Sequence, residues 1–471
     1  METASCELGM VGLGVMGRNL LLNMADHDHV VAGFDKDGQK VDALRGESES
    51  RAVHAAKTLK DLVGLLDKPR TLMMLVPAGR IVDDVIAELH PLLDNGDLII
   101  DGGNSHFTDT ERRAKTLEEQ GLHYLGMGVS GGERGARHGP SMMPGGTREA
   151  FDRVRPLLED VAAHVDGDPC VTYLGPRAAG HYVKMVHNGI EYGIMQLIAE
   201  TYDMMKRSLG LDNDEMQAEY RRWNQTEVSG YLIEITADIF GHEDEKTGRC
   251  LVDVIRDRAR QKGTGMWTSQ DAMSLQCPTP TIDAAVNARD LSGLDALRPK
   301  ASARYASPVA AFPNGPQDWT ERIRSAFYAA MIITYAQGLS LLACASDRYE
   351  YGVSLENVAR IWRGGCIIRA DLLEEIRAAC RKDASLPSLI LDDHFAGQLA
   401  QRQVDLRDVV GQAAAAGVPT PALMASLAYF DGLRSERLPA NLIQAQRDCF
   451  GSHTYEREDE DGTFHTQWRD D

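Results

Sequence analysis

The stretch "MVGLGVMGRNLLLNM", residues 10–24, sets Gly12, Gly14 and Gly17 as GxGxxG between an apolar run and a helical pattern. Glycines at this spacing permit a tight turn and close backbone approach, so that a pyrophosphate can rest on the helix N-terminus. Alone the pattern is weak, because a strand–turn–helix can use glycine purely for packing. Its context adds weight: the next β-rich run ends in Asp35, about twenty residues on, where an acid binds a ribose hydroxyl. A carboxylate there repels a 2′-phosphate, and Asp37 adds to it, so NAD is the expected cofactor and NADP the second choice.

Outward from this motif, β-rich runs alternate with helical patterns over the first 175 or so residues. "ELGMV", "HVVAGF", "TLMMLV", "DLIID", "HYLGMGV" and "CVTYLG" read as strands, with helices such as "REAFDRVRPLLEDVAA" between them. That alternation predicts a Rossmann-type, doubly wound α/β domain, placed at 1–178, with a mostly parallel sheet. After "GPRAAG" helical patterns dominate, which predicts an all-helical domain over 179–438. Within it "GLDNDEMQAEYRRW" ends at Trp223 and "GVSLENVARIW" at Trp362, each after a long apolar helix and before another. The offset of 139 to 141 residues predicts a degenerate internal duplication. From Pro439 the chain turns polar; composition alone reads 439–471 as a loose tail, which suits "EREDEDG" better than "RDCFGSHTYE".

The whole chain of 471 residues has a net charge of −20, which argues against nucleic-acid or anionic-membrane binding. The N-terminus has no basic segment followed by an apolar one, and no continuous apolar run of about 18 residues is evident, so neither a secretory signal nor a membrane span is expected. The eight cysteines form no CxxC and pair with no histidine. Reduced thiols in a cytoplasmic enzyme are the expectation.

The chemistry concentrates in "KMVHNGIEYG", residues 184–193, where Lys184, His187, Asn188 and Glu191 share one face of a helix. A solvated face is the plain alternative. Against it, Val183, Val186, Ile190, Ile194 and Leu197 form a separate apolar face, and the helix starts where the nucleotide domain ends. A lysine and a glutamic acid on adjacent turns suit proton transfer beside a nicotinamide. At the duplication offset these positions map near Arg324, Phe327, Tyr328 and Met331, so only the first copy carries the polar stripe. "DGGNS" (101–105) and "VSGGERGAR" (129–137) lie at the carboxyl ends of strands, where open α/β sheets bind ligands, offering Asn104, Ser130 and the backbone of Gly131 and Gly132.

Together "GLGVMGRNL", "DGGNS", "VSGGERGAR", "KMVHNGIEYG", "QKGTG", "AVNARDLSG" and "RDCFGSHTYE", in this order, resemble the decarboxylating 6-phosphogluconate dehydrogenases, within the wider β-hydroxyacid dehydrogenases. The resemblance spans nearly the whole chain. It implies that Lys184 takes the proton of the substrate C3 hydroxyl and that Glu191 later protonates C1 of the enediol, giving ribulose 5-phosphate and CO2 without a metal. It implies that Asn104, Ser130, Gly131, Gly132, His187 and Asn188 hold the carboxylate and hydroxyls, and that Tyr192, Arg289, Arg447 and His453 hold the phosphate. The last two come from a partner subunit, which implies a homodimer with shared sites. Cofactor contacts are implied at Gly12, Gly14, Met16, Gly17, Asp35, Val76 and Asn104.

Three positions depart from the family. Asp35, Lys36 and Asp37 replace the usual Asn-Arg-Thr of NADP-dependent members, Pro77 replaces a lysine, and Met266 stands where a lysine on the substrate phosphate is common. Lys262 is a candidate to compensate. An NAD-dependent dehydrogenase for another sugar acid is the rival that Met266 favours and Arg447 and His453 oppose. A non-catalytic nucleotide-binding regulator is the rival from another class; binding without turnover would distinguish it.

Overall fold

The computed structural model describes residues 5–48, 51–306 and 308–469; the ends of the expected first and last segments, 1–4 and 470–471, lie outside them. The chain begins β1 (Leu8–Val11), α1 (Val15–Asp26), β2 (Val31–Phe34), α2 (Gly38–Glu47), β3 (Val53–Ala55), α3 (Leu59–Gly64) and β4 (Thr71–Met74). It continues α4 (Arg80–Leu89), β5 (Leu98–Asp101), α5 (Phe107–Glu119), β6 (His123–Val129), α6 (Gly132–His138), β7 (Met142–Gly146) and α7 (Arg148–Val161). The strands form one sheet in the order β3-β2-β1-β4-β5-β6-β7. All neighbours are parallel except β7, which runs antiparallel to β6. Strands β1, β2, β4 and β5 are buried along their length, as expected of a sheet covered by helices on both faces. This is a Rossmann-type doubly wound domain.

Three strands differ from the sequence reading, the first being β3, whose three residues are too short a run to read as a strand. "CVTYLG" makes only an isolated bridge, Met142 to Val171. The edge strand beyond β6 is instead β7, "MMPGG", whose proline and glycines carry no strand pattern. Its glycine has a packing cause: a Cβ on Gly145 would lie 2.3 Å from the backbone nitrogen of Gly180.

After a short hairpin, β8 (His164–Val165) and β9 (Asp168–Pro169), the helical half opens with α8 (Ala179–Arg207), α9 (Asn213–Trp223) and α10 (Tyr231–Phe240). Then come α11 (Thr264–Ser274), α12 (Pro280–Ser292), α13 (Arg298–Arg304), α14 (Pro316–Tyr349), α15 (Leu355–Trp362) and α16 (Leu372–Lys382). Helices α17 (Asp393–Ala416), α18 (Pro421–Leu433) and α19 (Ala440–Gly451) precede a last hairpin, β10 (Tyr455–Glu456) and β11 (Thr463–Phe464). The long–short–short order of α8–α10 recurs in α14–α16. Loops ahead of α10 and α16 meet in an antiparallel bridge between Gly230 and Ala370, flanked by Tyr231 N to Arg369 O and Asp371 N to Ser229 O. These partners are themselves one repeat apart, so the duplication is expressed as local two-fold symmetry.

The core of this half is α14, packed by α8, α17 and α18. It is the one helix among the described residues long and apolar enough to cross a membrane, contrary to the expectation that no such segment exists, yet 83% of that window is buried inside the protein. Trp223 and Trp362 are fully buried at equivalent places, each a side chain whose truncation to alanine costs about 3–5 kcal/mol. Helix α8 leaves this core and lies on the sheet, because glycines remove the intervening side chains. A Cβ on Gly180 would sit 2.2 Å from Met143 O, and one on Gly128 2.2 Å from the Cβ of Lys184. The stem of Lys184 therefore rests on β6.

Candidate active site

At the cofactor end the three glycines divide their work. A Cβ on Gly12 would lie 2.5 Å from Leu75 O, and one on Gly17 1.9 Å from Gly12 O, so both are needed for internal packing. Gly14 is different: its φ of −62° suits any residue, and nothing lies within 4 Å of a Cβ built there. The space it leaves open lies at the uncapped N-terminus of α1, which fits a pyrophosphate. Met16 and Val76 line the same turn, half-buried. Asp35 accepts from Leu13 N at 2.8 Å and Asp37 N at 2.9 Å, which holds its carboxylate against the glycine turn, with Lys40 Nζ 3.5 Å away. Lys36 is engaged elsewhere, 2.7 Å from Glu88.

The loop carrying Asn104 hangs from a buried carboxylate that sequence reasoning missed. Asp101, fully buried at the end of β5, accepts from Gly103 N (3.1 Å), Ser105 Oγ (2.6 Å) and Tyr124 Oη (3.1 Å). Arg113 supplies the countercharge at 3.7 Å and is itself held by Asp83 through two 2.9 Å hydrogen bonds. Asn104, between these pinned neighbours, is exposed. The next loop is braced from the helical half. Ser130 N bonds Ser141 O at 3.0 Å, Ser141 N bonds Gly365 O at 2.7 Å, and a Cβ on Gly131 would lie 2.5 Å from that same oxygen. Gly132, with φ +60°, faces open space.

The polar stripe of α8 meets this loop and is not solvated. Lys184 is 5% exposed, His187 0% and Asn188 8%; the Glu191 side chain keeps 20%. Lys184 Nζ lies 3.4 Å from His187 Nδ1, whose other ring nitrogen is 3.2 Å from Ser130 Oγ. The tautomer that donates from Nε2 to Ser130 leaves Nδ1 to accept from Lys184. Asn188 Oδ1 and Glu191 Oε2 lie 3.1 and 3.8 Å from the same Nδ1. Trp362 meets the imidazole edge-on, 5.5 Å between centroids. Burial lowers the pKa of Lys184, against the pull of Glu191 and Cys366. Burial, aided by Lys184, pushes His187 well below its ordinary range. Burial raises Glu191, against Lys184 and Arg289. The directions converge on a lysine poised as a base, a neutral imidazole and a carboxylic acid poised as a donor.

Further along α8, the Arg289 guanidinium lies 3.6 Å over the buried ring of Tyr192 and donates to Arg260 O at 3.1 Å. Gly265 packs against the same ring, and Thr268 Oγ1 donates to Met185 O at 2.8 Å, tying α11 to α8. Lys262 is exposed just before the uncapped start of α11; Met266 is 37% exposed within its first turn. Arg447 and His453 are not gathered with these residues in one chain. Both are exposed on the terminal unit, Arg447 bonding Gln444 at 2.9 Å and His453 edge-on to Phe450.

Residues 180–468 match the profile of the 6-phosphogluconate dehydrogenase C-terminal domain, and residues 7–175 that of the NAD binding domain of 6-phosphogluconate dehydrogenase. The chain belongs to the 6-phosphogluconate dehydrogenase family. A decarboxylating 6-phosphogluconate dehydrogenase of Synechococcus elongatus is 50% identical, over 98% of this chain and 99% of the relative. An NADP(+)-dependent, decarboxylating one of Bacillus subtilis is 47% identical over 98% and 99%. The solved structure of the Plasmodium falciparum 6-phosphogluconate dehydrogenase superposes with a TM-score of 0.95 at 43% identity, covering 98% of this chain and 100% of that one. As a 6-phosphogluconate dehydrogenase, the chain is an NAD(P)-dependent oxidoreductase that decarboxylates 6-phosphogluconate. Asp101 and the "RGGC" loop at 363–366 were the unread parts of this candidate site. Aspartate ending a buried strand was the available signal for the first; the second is joined to the site only by the fold.

Proposed function

We propose that Lys184 and Glu191 are the base and acid of the oxidative decarboxylation of 6-phospho-D-gluconate to D-ribulose 5-phosphate and CO2, that NAD is the preferred oxidant, and that two copies of the chain share each site in a cytoplasmic homodimer. The observation that carries the catalytic assignment is the burial of the stripe, which perturbs Lys184 and Glu191 in the opposite senses their roles need.

Gly12, Gly14, Met16, Gly17, Asp35, Val76 and Asn104 would hold the dinucleotide; when bound, it supplies the hydride acceptor. Neutral Lys184 takes the proton of the C3 hydroxyl as that carbon is oxidised. The β-keto acid then loses its carboxylate, its own carbonyl acting as the electron sink. Lys184 returns its proton to the developing enolate oxygen, and Glu191 delivers a proton to C1 of the enediol. Asn104, Ser130, Gly131, Gly132, His187 and Asn188 orient carboxylate and hydroxyls, with His187 fixed between Ser130 and Lys184.

For the phosphate, Tyr192 and Arg289 stack beside the first turn of α11, Lys262 precedes that helix by two residues, and we assign the charge that Met266 does not carry to Lys262. Arg447 and His453 would complete that subsite from the partner. Exposed Leu442, Ile443 and Phe450 on α19 give the terminal unit an apolar surface suited to such docking. For NAD, the support is Asp35 against the glycine turn, Lys36 already paired with Glu88, and Pro77 in place of a cation.

The test is nicotinamide reduction by purified protein with 6-phosphogluconate, with NAD and NADP in parallel and released CO2 trapped. Equal reduction and CO2, faster with NAD, is expected; faster NADP turnover overturns the cofactor assignment. Truncation from Pro439 onward is expected to abolish turnover, and a fully active truncation refutes the shared site.

A further inference from the structure

The terminal unit is exposed almost throughout, yet one acidic side chain in it is 1% exposed: Asp448, the sole buried residue of α19. Its carboxylate accepts four hydrogen bonds from groups beyond the helix. Oδ1 takes Thr454 N at 2.9 Å and His465 Nδ1 at 2.8 Å; Oδ2 takes Thr466 N at 3.0 Å and Trp468 Nε1 at 2.7 Å. The carboxylate thus joins α19 to the turn after it and to the chain leaving β11. The two phosphate candidates lie on the segments it joins. Arg447 precedes it on the helix, and His453 lies in the turn that Thr454 closes. That turn is unfavourable on its own, since Ser452 and Thr454 both adopt left-handed backbone, φ +50° and +61°. It is held by Asp448, by Ser452 N to Asp448 O (2.9 Å) and by Gln444 Nε2 to Thr454 O (2.6 Å).

We propose that Asp448 is a positioning residue whose carboxylate preforms the unit that presents Arg447 and His453 to the substrate phosphate of the partner subunit. The inference rests on the shared-site reading above. Four donors converge here, and only an ionised carboxylate has acceptors for all of them. An asparagine of the same shape would turn an N–H2 group toward two of those donors. The unit would then visit the presenting geometry only part of the time, and apparent phosphate affinity falls by that fraction.

The experiment compares the full-length variants D448N, D448E, R447A and W468F in steady-state kinetics, with sedimentation to verify the dimer and hydrogen exchange to follow the tail. D448N is expected to raise KM for 6-phosphogluconate at least ~10-fold, with kcat and KM for the nicotinamide cofactor within about threefold, and D448E to recover part of the loss. The amides of Thr454 and Thr466 should lose protection in D448N. An unchanged KM in R447A refutes the shared-site reading. A raised KM in R447A beside an unchanged KM in D448N overturns this inference alone. If D448N does not assemble, W468F, which removes one donor, carries the test: an intermediate rise in KM is expected, and wild-type KM overturns the proposal.

Discussion

Replacing Asp35 by asparagine tests the cofactor end most directly. The carboxylate is fixed by Leu13 N and Asp37 N, so its position relative to the glycine turn is set before any dinucleotide binds. A 2′-phosphate in the place of the ribose hydroxyl would bring its phosphorus to about 5 Å from that charge. At an effective dielectric near 20, repulsion is roughly 3 kcal/mol per unit of phosphate charge. The phosphate carries about 1.5–2 charges at neutral pH. Lys40, 3.5 Å from Asp35, and mobile ions with a screening length of about 8 Å reduce this to a net penalty of about 2–3 kcal/mol. That is a factor of roughly 30–150 in kcat/KM for NADP. For NAD the variant loses a hydrogen bond to a charged acceptor, about 1.5 kcal/mol or about tenfold. Initial rates with both cofactors, at saturating 6-phosphogluconate and at two ionic strengths, give the ratio. The expected result is a shift toward NADP of two to three decades that shrinks with salt; a ratio that moves less than about threefold, or ignores salt, refutes the electrostatic reasoning.

The remaining expectations follow from the same geometry. Lys184→Ala should lower kcat by about 10²–10⁴, and Glu191→Ala should leave oxidation less affected than the later proton transfer; single-turnover formation of reduced cofactor and of ribulose 5-phosphate separates the two. Two variants with wild-type turnover would mean that the buried stripe has another purpose. Lys262→Ala should raise KM for 6-phosphogluconate by one to two decades, the 1.5–3 kcal/mol of a charged hydrogen bond, whereas Met266→Lys should change it little. The reverse pattern would return the phosphate contact to position 266. Glu200, 2% exposed, accepts from Ala422 N and Leu423 N at the start of α18, and burial pushes its pKa up to about 7. A raised carboxyl pKa contributes stability that is complete at low pH and is lost as pH rises from about 4.5 to about 7, here about 3 kcal/mol. Urea titrations at fixed protein concentration should show that slope, and Glu200→Gln should flatten it; an unchanged slope removes Glu200 from the pH dependence.

Much of this protein is local in origin and therefore legible along the chain. The glycine turn, the acid that ends β2, the alternation of strand and helix and the three-four spacing of the α8 stripe are short-range patterns, and backbone geometry acts on them directly. Other features escaped because their cause lies far off in sequence. Edge strand β7 carries no strand pattern, and its glycine is explained only by α8 passing over it at backbone contact. An apolar helix of membrane-spanning length, α14, is a core element only because its neighbours cover it. Whether Lys184, His187 and Glu191 faced water or the interior was undecided by periodicity, since a polar stripe satisfies either. The sheet, the Ser130 loop and Trp362 close over it, and that burial turns a charged lysine and a carboxylate into a base and an acid. Residue identities and spacing determined which chemistry this chain could hold; desolvation, which only packing from distant segments supplies, decided where it is held.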